Sequence, residues 1–198
     1  MDKLIDIAEQ CYGMNSHEFK TISKHISALE YNKKKQLISN EHNLSDEELL
    51  AIIMLEGFAS NLIQTAAFNS EERNCFTELI IIVLDSALRK IPPTSHTTLY
   101  RQESFLLKAP SIGEEFTIDG YWTTSKDDFD NTKNIKWIIT PLPHKDTKAH
   151  NIYEVYNHGA TANSIGEFQV EFERGAKFKV NKIIKCTNFT EVHVSEIK

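Results

Sequence analysis

The chain has 198 residues, of which 40% are hydrophobic and 25% are charged, as is typical of a globular protein with one large or two small domains. Its formal net charge of −6 argues against a nucleic-acid-binding protein held by phosphate contacts. Apolar runs such as Leu79 to Leu84 are far too short to cross a membrane.

Two further features bear on the compartment. The N-terminus has acidic residues where a signal peptide needs an apolar core. Cys11, Cys75 and Cys186 are far apart, and no C-x-x-C spacing indicates a zinc site. We therefore predict reduced thiols in a protein that is cytoplasmic, or delivered into a target cell without a signal peptide. We also expect a monomer.

Residues 1–92 are predicted to be a helical domain or subdomain of four helices, because apolar residues recur at helical spacing. Ser16 is a predicted N-cap, and Ser45 with Glu48 forms a capping box. The helix that starts at Ser45 is predicted to bury residues as far as Phe58. Asn69 and Glu72 repeat this start signal for a last helix that ends before Pro92-Pro93.

Residues 93–198 are predicted to be β-rich, because short runs of Thr, aromatic and β-branched residues alternate with turn residues. The predicted strands are Thr97–Arg101, Glu115–Ile118, Tyr121–Thr124, Ile135–Thr140, Glu167–Glu173, Phe178–Cys186 and Glu191–Ser195. The fold class is therefore α+β, with a helical part followed by a β-rich domain.

The segment from Ile165 to Val180 carries the clearest strand pattern. Glu167, Gln169, Glu171 and Glu173 alternate with apolar residues, so the four polar side chains fall on one face of a strand. Gly175 allows a tight turn into the next strand. Taken alone, this pattern is typical of a hairpin with a solvated acidic face.

Three features of the second half occur in a distinctive order. Arg101 ends the apolar segment Leu99-Tyr100-Arg101, Thr123-Thr124-Ser125 end an aromatic segment, and the acidic hairpin follows. In order and spacing they resemble the mono-ADP-ribosyltransferase family, in its arginine–serine–glutamate branch of bacterial toxins and bacteriophage enzymes. A G-x-x-F stretch at residues 113–116 adds to the resemblance, which covers about residues 97–186.

The resemblance implies a split β-sandwich with an NAD-binding cleft, NAD as substrate, no metal, and transfer of ADP-ribose to a protein acceptor. It implies that Arg101, with Gln102 beside it, binds the NAD phosphates, since a guanidinium is always charged and offers a fork of donors. It also implies that the hydroxyls of Thr123, Thr124 and Ser125 hold the cleft in shape by hydrogen bonds. The family usually has Ser at the first of these positions. Phe129 is the implied aromatic over the nicotinamide, and residues 157–166 are an implied acceptor-recognition loop.

The family spacing can be aligned to the hairpin in two registers, and each places a different residue at the catalytic position. Counting back from Gly175 and Phe178 by the family spacing gives Gln169, with Glu167 before it and no catalytic carboxylate. A register shorter by two residues gives Gln169-Val170-Glu171 and keeps the same face towards the cleft. We favour Glu171 as the catalytic residue, because the hydroxyls and Arg101 have little use without a carboxylate.

Other interpretations remain open. The chain could be a weak or inactive relative that binds NAD, ADP-ribose or a partner protein, an alternative that Gln169 supports. Without the resemblance, it is a helical module attached to a β-sandwich and working through protein contacts. His144, His150 and His158 have no spacing that connects them as metal ligands and are predicted to lie on the surface.

Overall fold

A computed structural model describes residues 2–36, 38, 41–104, 110–129, 132–155 and 168–198. The chain divides into two compact units. One comprises Met1–Pro92 with Glu154–Asn157, and the other Pro93–Tyr153 with His158–Lys198.

The first unit is helical. Its elements are α1 (Asp2–Tyr12), α2 (His17–Lys34), α3 (Asp46–Glu56), α4 (Ser60–Phe68), a 3-10 turn η1 (Ser70–Glu72) and α5 (Cys75–Lys90). Ser16 caps α2, and Ser45 and Glu48 cap α3 reciprocally, as predicted. Residues 48–55 of α3 are all buried, so α3 is the central helix of this unit.

Two helix predictions were wrong. Asn69 caps only η1; the last helix begins at Cys75, capped by Asn74. Phe58 is not buried but 93% exposed, because α3 ends at Glu56 and the chain turns before α4. Gly57 makes this turn possible: a Cβ there would collide with the His25 imidazole and lie 2.9 Å from the Ile53 carbonyl oxygen.

The cysteine prediction was also wrong. Cys11, at the end of α1, and Cys75, at the start of α5, form a disulfide across 64 residues of sequence, with their Cα atoms 6.9 Å apart. Tyr12 packs edge-on against Phe76, and its hydroxyl accepts a hydrogen bond from Asn74 Nδ2 (2.8 Å). Sequence spacing gives no sign of this pairing, because it depends on how the two helices pack.

The second unit contains an eight-stranded mixed sheet, so the predicted α+β class is confirmed. The strands are β1 (Leu99–Glu103), β2 (Glu115–Ile118), β3 (Trp122–Ser125), β4 (Ile135–Thr140), β5 (Ala149–His150), β6 (Gln169–Phe172), β7 (Ala176–Lys185) and β8 (Thr190–Ile197). A second 3-10 turn, η2, spans Ile152–Glu154. The strand order is β2-β7-β8-β4-β1-β3-β6-β5, and only β4 and β8 pair in parallel.

The sheet is divided between β1 and β3. These strands share a single pair of residues, Tyr100 and Ser125, whereas β1 pairs with β4 along its whole length. Five strands lie on one side of this split and three on the other. The two parts correspond to the two sheets of the predicted split sandwich.

The core beneath the sheet is aromatic. Trp122 contacts Trp137, Phe172 and Phe178, with ring centroids 5.4, 6.2 and 4.7 Å apart. Phe116 closes the cluster by packing against both tryptophans and Phe178. Because aromatic pairs bury large areas in defined geometries, the strands around the split rest on a rigid base.

In the described ranges, no single helix is long and apolar enough to cross a membrane; α3 and α4 pass such a test only as a pair bent by 93°.

Candidate active site

Arg101 bridges the split in the sheet. Its Nη1 donates to the Thr123 carbonyl oxygen across the split (2.7 Å), and its Nε donates to Glu103 Oε1 on its own strand (2.7 Å). A guanidinium has five N–H donors, so these two bonds leave three that no described residue engages. The arginine is therefore held in place while keeping donors for an anion.

A cavity of about 250 Å³ opens at this point. All six residues that the resemblance implies for NAD binding line it: Arg101, Gln102, Thr123, Thr124, Ser125 and Phe129. The cavity walls come from β1, β3 and the loop after β3.

The carboxylate candidates lie on β6, next to β3. Glu171 stands directly opposite Thr123, and Gln169 directly opposite Ser125. Residues opposite each other in an antiparallel pair point to the same side of the sheet, so these four side chains share one face. Glu171 and Gln169 do not line the cavity and are buried, which rules out the solvated acidic face.

Burial dominates the electrostatics of Glu171. It raises the pKa of this carboxyl to about 8, although the Thr123 hydroxyl and the Arg101 charge both act to lower it. Neither carboxyl oxygen makes a hydrogen bond of regular geometry to a described residue, and the same holds for Gln169 Oε1. These atoms are therefore buried polar groups whose hydrogen bonding the described residues leave incomplete.

The three hydroxyls differ in their partners. Thr124 Oγ1 donates to the Val170 carbonyl oxygen (2.6 Å) and ties β3 to β6. Ser125 Oγ accepts from the Asp127 backbone N–H (3.1 Å) and shapes the loop after β3. Thr123 is the hydroxyl that acts on Glu171.

The loop after β3 is tied back to β1. Gln102 Nε2 donates to Asp128 Oδ1 (3.1 Å), and Asp128 also pairs with Lys136. This network holds the segment that brings Phe129, which is partly exposed, to the cavity.

Sequence reasoning missed Tyr100, Lys133 and His150. Tyr100 and Lys133 line the cavity, and Lys133 brings a second cation to it. The signal for Lys133 was weak, since it lies in a polar loop with other lysines.

His150, predicted to be a surface residue, is buried in β5, opposite Glu171. It hydrogen-bonds Glu173 through Nε2 (2.8 Å). A strand of two residues leaves no pattern in the sequence, so β5 and the position of His150 could not be predicted.

Three predicted features lie outside the described residues: Glu167, His158 and the loop at 157–166. In the described part of the chain, no group of three His, Cys, Asp or Glu residues could hold a metal ion.

Comparison with solved structures identifies the fold. The type III effector XopAI from Xanthomonas axonopodis pv. citri superposes with a TM-score of 0.70 at 14% sequence identity. The superposition covers 100% of this chain and 87% of the effector chain. Exoenzyme S from Pseudomonas aeruginosa, solved in complex with human 14-3-3 protein beta and Carba-NAD, superposes with a TM-score of 0.65 at 13% sequence identity. This match covers 98% of the present chain and 88% of the Exoenzyme S chain. Plx2a, an ADP-ribosyltransferase toxin from Paenibacillus larvae, superposes with a TM-score of 0.64 at 16% sequence identity, over 86% of the present chain and 97% of the toxin chain.

The chain thus has the fold of the ADP-ribosyltransferase toxins and effectors, and the predicted resemblance is confirmed at the level of fold. No protein-family model matches the sequence, and no curated protein is similar to it in sequence.

Proposed function

We propose that this protein is a mono-ADP-ribosyltransferase that transfers ADP-ribose from NAD to a protein acceptor. The observation that carries the proposal is the position of Glu171, opposite Thr123 and beside the split that Arg101 crosses. The cavity at this split is polar and cationic, which suits a dinucleotide with two phosphates.

Binding falls to the residues that line the cavity. Arg101 offers its three remaining N–H donors to phosphate oxygens, and Lys133 adds a second positive charge. Phe129 offers an apolar face for the nicotinamide ring. The hydroxyls of Thr124 and Ser125 keep the walls in place.

Glu171 is assigned to the reacting carbon, which requires the bound substrate to reach a carboxyl that is fully buried beside the cavity. The bond between ribose C1′ and the nicotinamide nitrogen breaks with its electron pair leaving on nicotinamide, and the acceptor bonds to C1′ and gives up a proton. Ionised Glu171 holds the ribose 2′-hydroxyl and stabilises the positive charge that develops on the sugar, as carboxylates do in glycosidases. Thr123 lies directly opposite Glu171, and its hydroxyl favours the ionised form of the carboxyl.

The strand register supports Glu171 over Gln169 as the catalytic residue. Glu171 faces the first residue of the Thr-Thr-Ser segment, next to Arg101, whereas Gln169 faces the last. Gln169 then lies two residues before the catalytic position on the same face. In the family that the sequence resembles, the residue at this position assists the acceptor. A glutamine there favours an acceptor other than arginine.

Several structural neighbours are toxins or effectors. We extend this to the present chain and propose that its acceptor is a protein of another cell.

The test is transfer of labelled ADP-ribose from NAD into bacterial and eukaryotic lysates. Wild-type protein is expected to label a protein band. Arg101→Ala should weaken this labelling by about 100-fold, because it removes charge-assisted hydrogen bonds to the substrate phosphates. Arg89→Ala is the matched control, because Arg89 is exposed at the end of α5 in the other unit. Equal labelling by wild type and Arg101→Ala would rule out the assigned role of Arg101.

A second candidate is an NAD-binding protein without turnover. The observation that favours it is the raised pKa of Glu171, because a neutral carboxyl at pH 7 supplies no charge to the sugar. NAD binding without transfer or nicotinamide release, even at about pH 9, where Glu171 is ionised, would establish this alternative.

A further inference from the structure

Glu103 connects the site to the aromatic core. One of its carboxylate oxygens accepts from Arg101 Nε (2.7 Å), and the other accepts from the Trp137 indole Nε1 (2.8 Å). The carboxylate is thus a bridge between a side chain that crosses the split and one that belongs to the core.

The strand register explains the bridge. Arg101 lies directly opposite Trp137 on β4, and Glu103 is two residues further along β1 on the same face. The three side chains therefore meet on one side of the sheet.

Trp137 is a rigid anchor. Its side chain is buried and packs against Trp122 and Phe116, with ring centroids 5.4 and 6.1 Å apart. Because the indole cannot move without disturbing the aromatic cluster, its N–H fixes the Glu103 carboxylate, and the carboxylate in turn fixes the guanidinium.

Charge attraction alone does not account for this arrangement. The side chains of Arg101 and Glu103 are 30% and 26% exposed, so water screens part of their interaction. Geometry matters more. The Glu103 carboxylate accepts from Nε and the Thr123 carbonyl oxygen accepts from Nη1, so the other N–H donors of the guanidinium are not engaged by any residue of the described ranges. An arginine already held in its binding rotamer loses less entropy when a ligand arrives.

We propose that Glu103 is a positioning residue that holds Arg101 in the orientation that binds NAD phosphate. The proposal rests on the proposed function. It predicts that Glu103 affects the binding of NAD and leaves the chemical step at Glu171 largely unchanged.

The first test is the KM for NAD of Glu103→Gln, measured by nicotinamide release at a fixed pH. The variant is isosteric, but its amide can no longer accept from both donors, so we expect KM to rise about tenfold with kcat changed by less than about threefold. Trp137→Phe removes the indole donor and is expected to raise KM in the same direction by less. Glu115→Gln is the matched control, because Glu115 also forms an ion pair but lies at the far edge of the sheet.

The second test asks whether Glu103 acts through Arg101. In an Arg101→Lys background the Nε donor is absent, so adding Glu103→Gln should change KM by less than about twofold. The double variant Glu103→Gln/Trp137→Phe should be no worse than Glu103→Gln alone. If Glu103→Gln does not fold, as judged by its melting temperature, Trp137→Phe alone and with Arg101→Lys gives the same comparison.

An unchanged KM in Glu103→Gln and Trp137→Phe, or a loss confined to kcat, would overturn the positioning role while leaving the proposed function intact. A wild-type protein that neither binds NAD by calorimetry nor releases nicotinamide would overturn both. The two failures are therefore distinguishable.

Discussion

Glu171 is a carboxyl group that the fold holds away from water, directly opposite a threonine hydroxyl and within the field of Arg101. Gln169 is also buried but can never carry a charge. The strand register therefore assigns the two residues different tasks, which substitution can separate.

We expect Glu171→Gln to reduce nicotinamide release by about 10²–10³, because it removes one preorganised charge from the transition state. Gln169→Ala should leave nicotinamide release nearly intact and weaken only the transfer to protein. The comparison of the two rates, release and transfer, checks both assignments. The opposite ranking would mean that the Glu167-Phe168-Gln169 register is the correct one.

The raised pKa of Glu171 predicts the pH dependence of activity. If only the ionised carboxyl is active, kcat/KM for NAD should rise with pH and level off above about pH 8, the pKa of this group in the free protein. Steady-state rates between about pH 6 and 9 would measure this rise of kcat/KM with pH. A plateau that already begins near pH 6 would contradict an essential carboxylate in the observed environment.

The same pKa shift predicts how stability varies with pH. The folded pKa is raised from 4.5, so the folded state holds a proton that the unfolded chain has lost, and this contribution fades as pH rises towards about 8. Glu171→Gln has no such group. Its free energy of unfolding, relative to wild type, should therefore increase by about 4 kcal/mol between pH 5 and pH 9. Urea titrations at both pH values measure the difference, which would stay constant if Glu171 were solvated.

At the scale of elements, side-chain alternation was informative where a strand is long enough to show it. β2 and β4 have the predicted bounds, and the hairpin from β6 to β7 turns at Gly175, whose φ of +76° suits glycine. The short strand β5 and the helix α4 were missed, because two residues show no period and α4 continues the apolar pattern of α3. The turn at Gly57 depends on tertiary packing against His25, which local sequence does not reveal.

That packing predicts a coupling within the α3–α4 turn. The Ala59 backbone N–H donates to buried His25 Nε2 (3.2 Å), and Gly57 lies against the same imidazole. Gly57→Ala should destabilise the protein by about 2 kcal/mol through overpacking. In a His25→Ala background the same substitution should cost less, because only the close approach to the Ile53 carbonyl oxygen remains, and a double-mutant cycle of unfolding free energies would show the difference. Equal costs in both backgrounds would contradict the contact.

The disulfide gives a second prediction at this scale. Cys11 and Cys75 close a loop of 64 residues, so a reducing agent should lower the free energy of unfolding by roughly 2–4 kcal/mol. Cys11→Ser should behave like the reduced protein and should no longer respond to the reductant. Thermal melts with and without reductant measure both, and identical melts would show that the thiols are not joined in solution.

For the whole molecule, the order of Arg101, the Thr-Thr-Ser segment and the acidic hairpin was enough to predict the fold, which the comparisons confirm. The implied NAD-binding residues do line one cavity, because they come from the strands that flank the split. The bridge through Glu103 could not be predicted, since it needs the register of β1 on β4. Lys133 and His150 likewise reach the site through loop and sheet geometry that leaves no local pattern.

The most direct test of the central claim is nicotinamide release from NAD by the purified protein at about pH 8.5, where Glu171 is largely ionised. We expect wild type to release nicotinamide, and Glu171→Gln and Arg101→Ala to do so at least about 100-fold more slowly, while Arg89→Ala matches wild type. Equal rates for wild type and Glu171→Gln, or no release by the wild-type protein, would contradict an ADP-ribosyltransferase that works through this site.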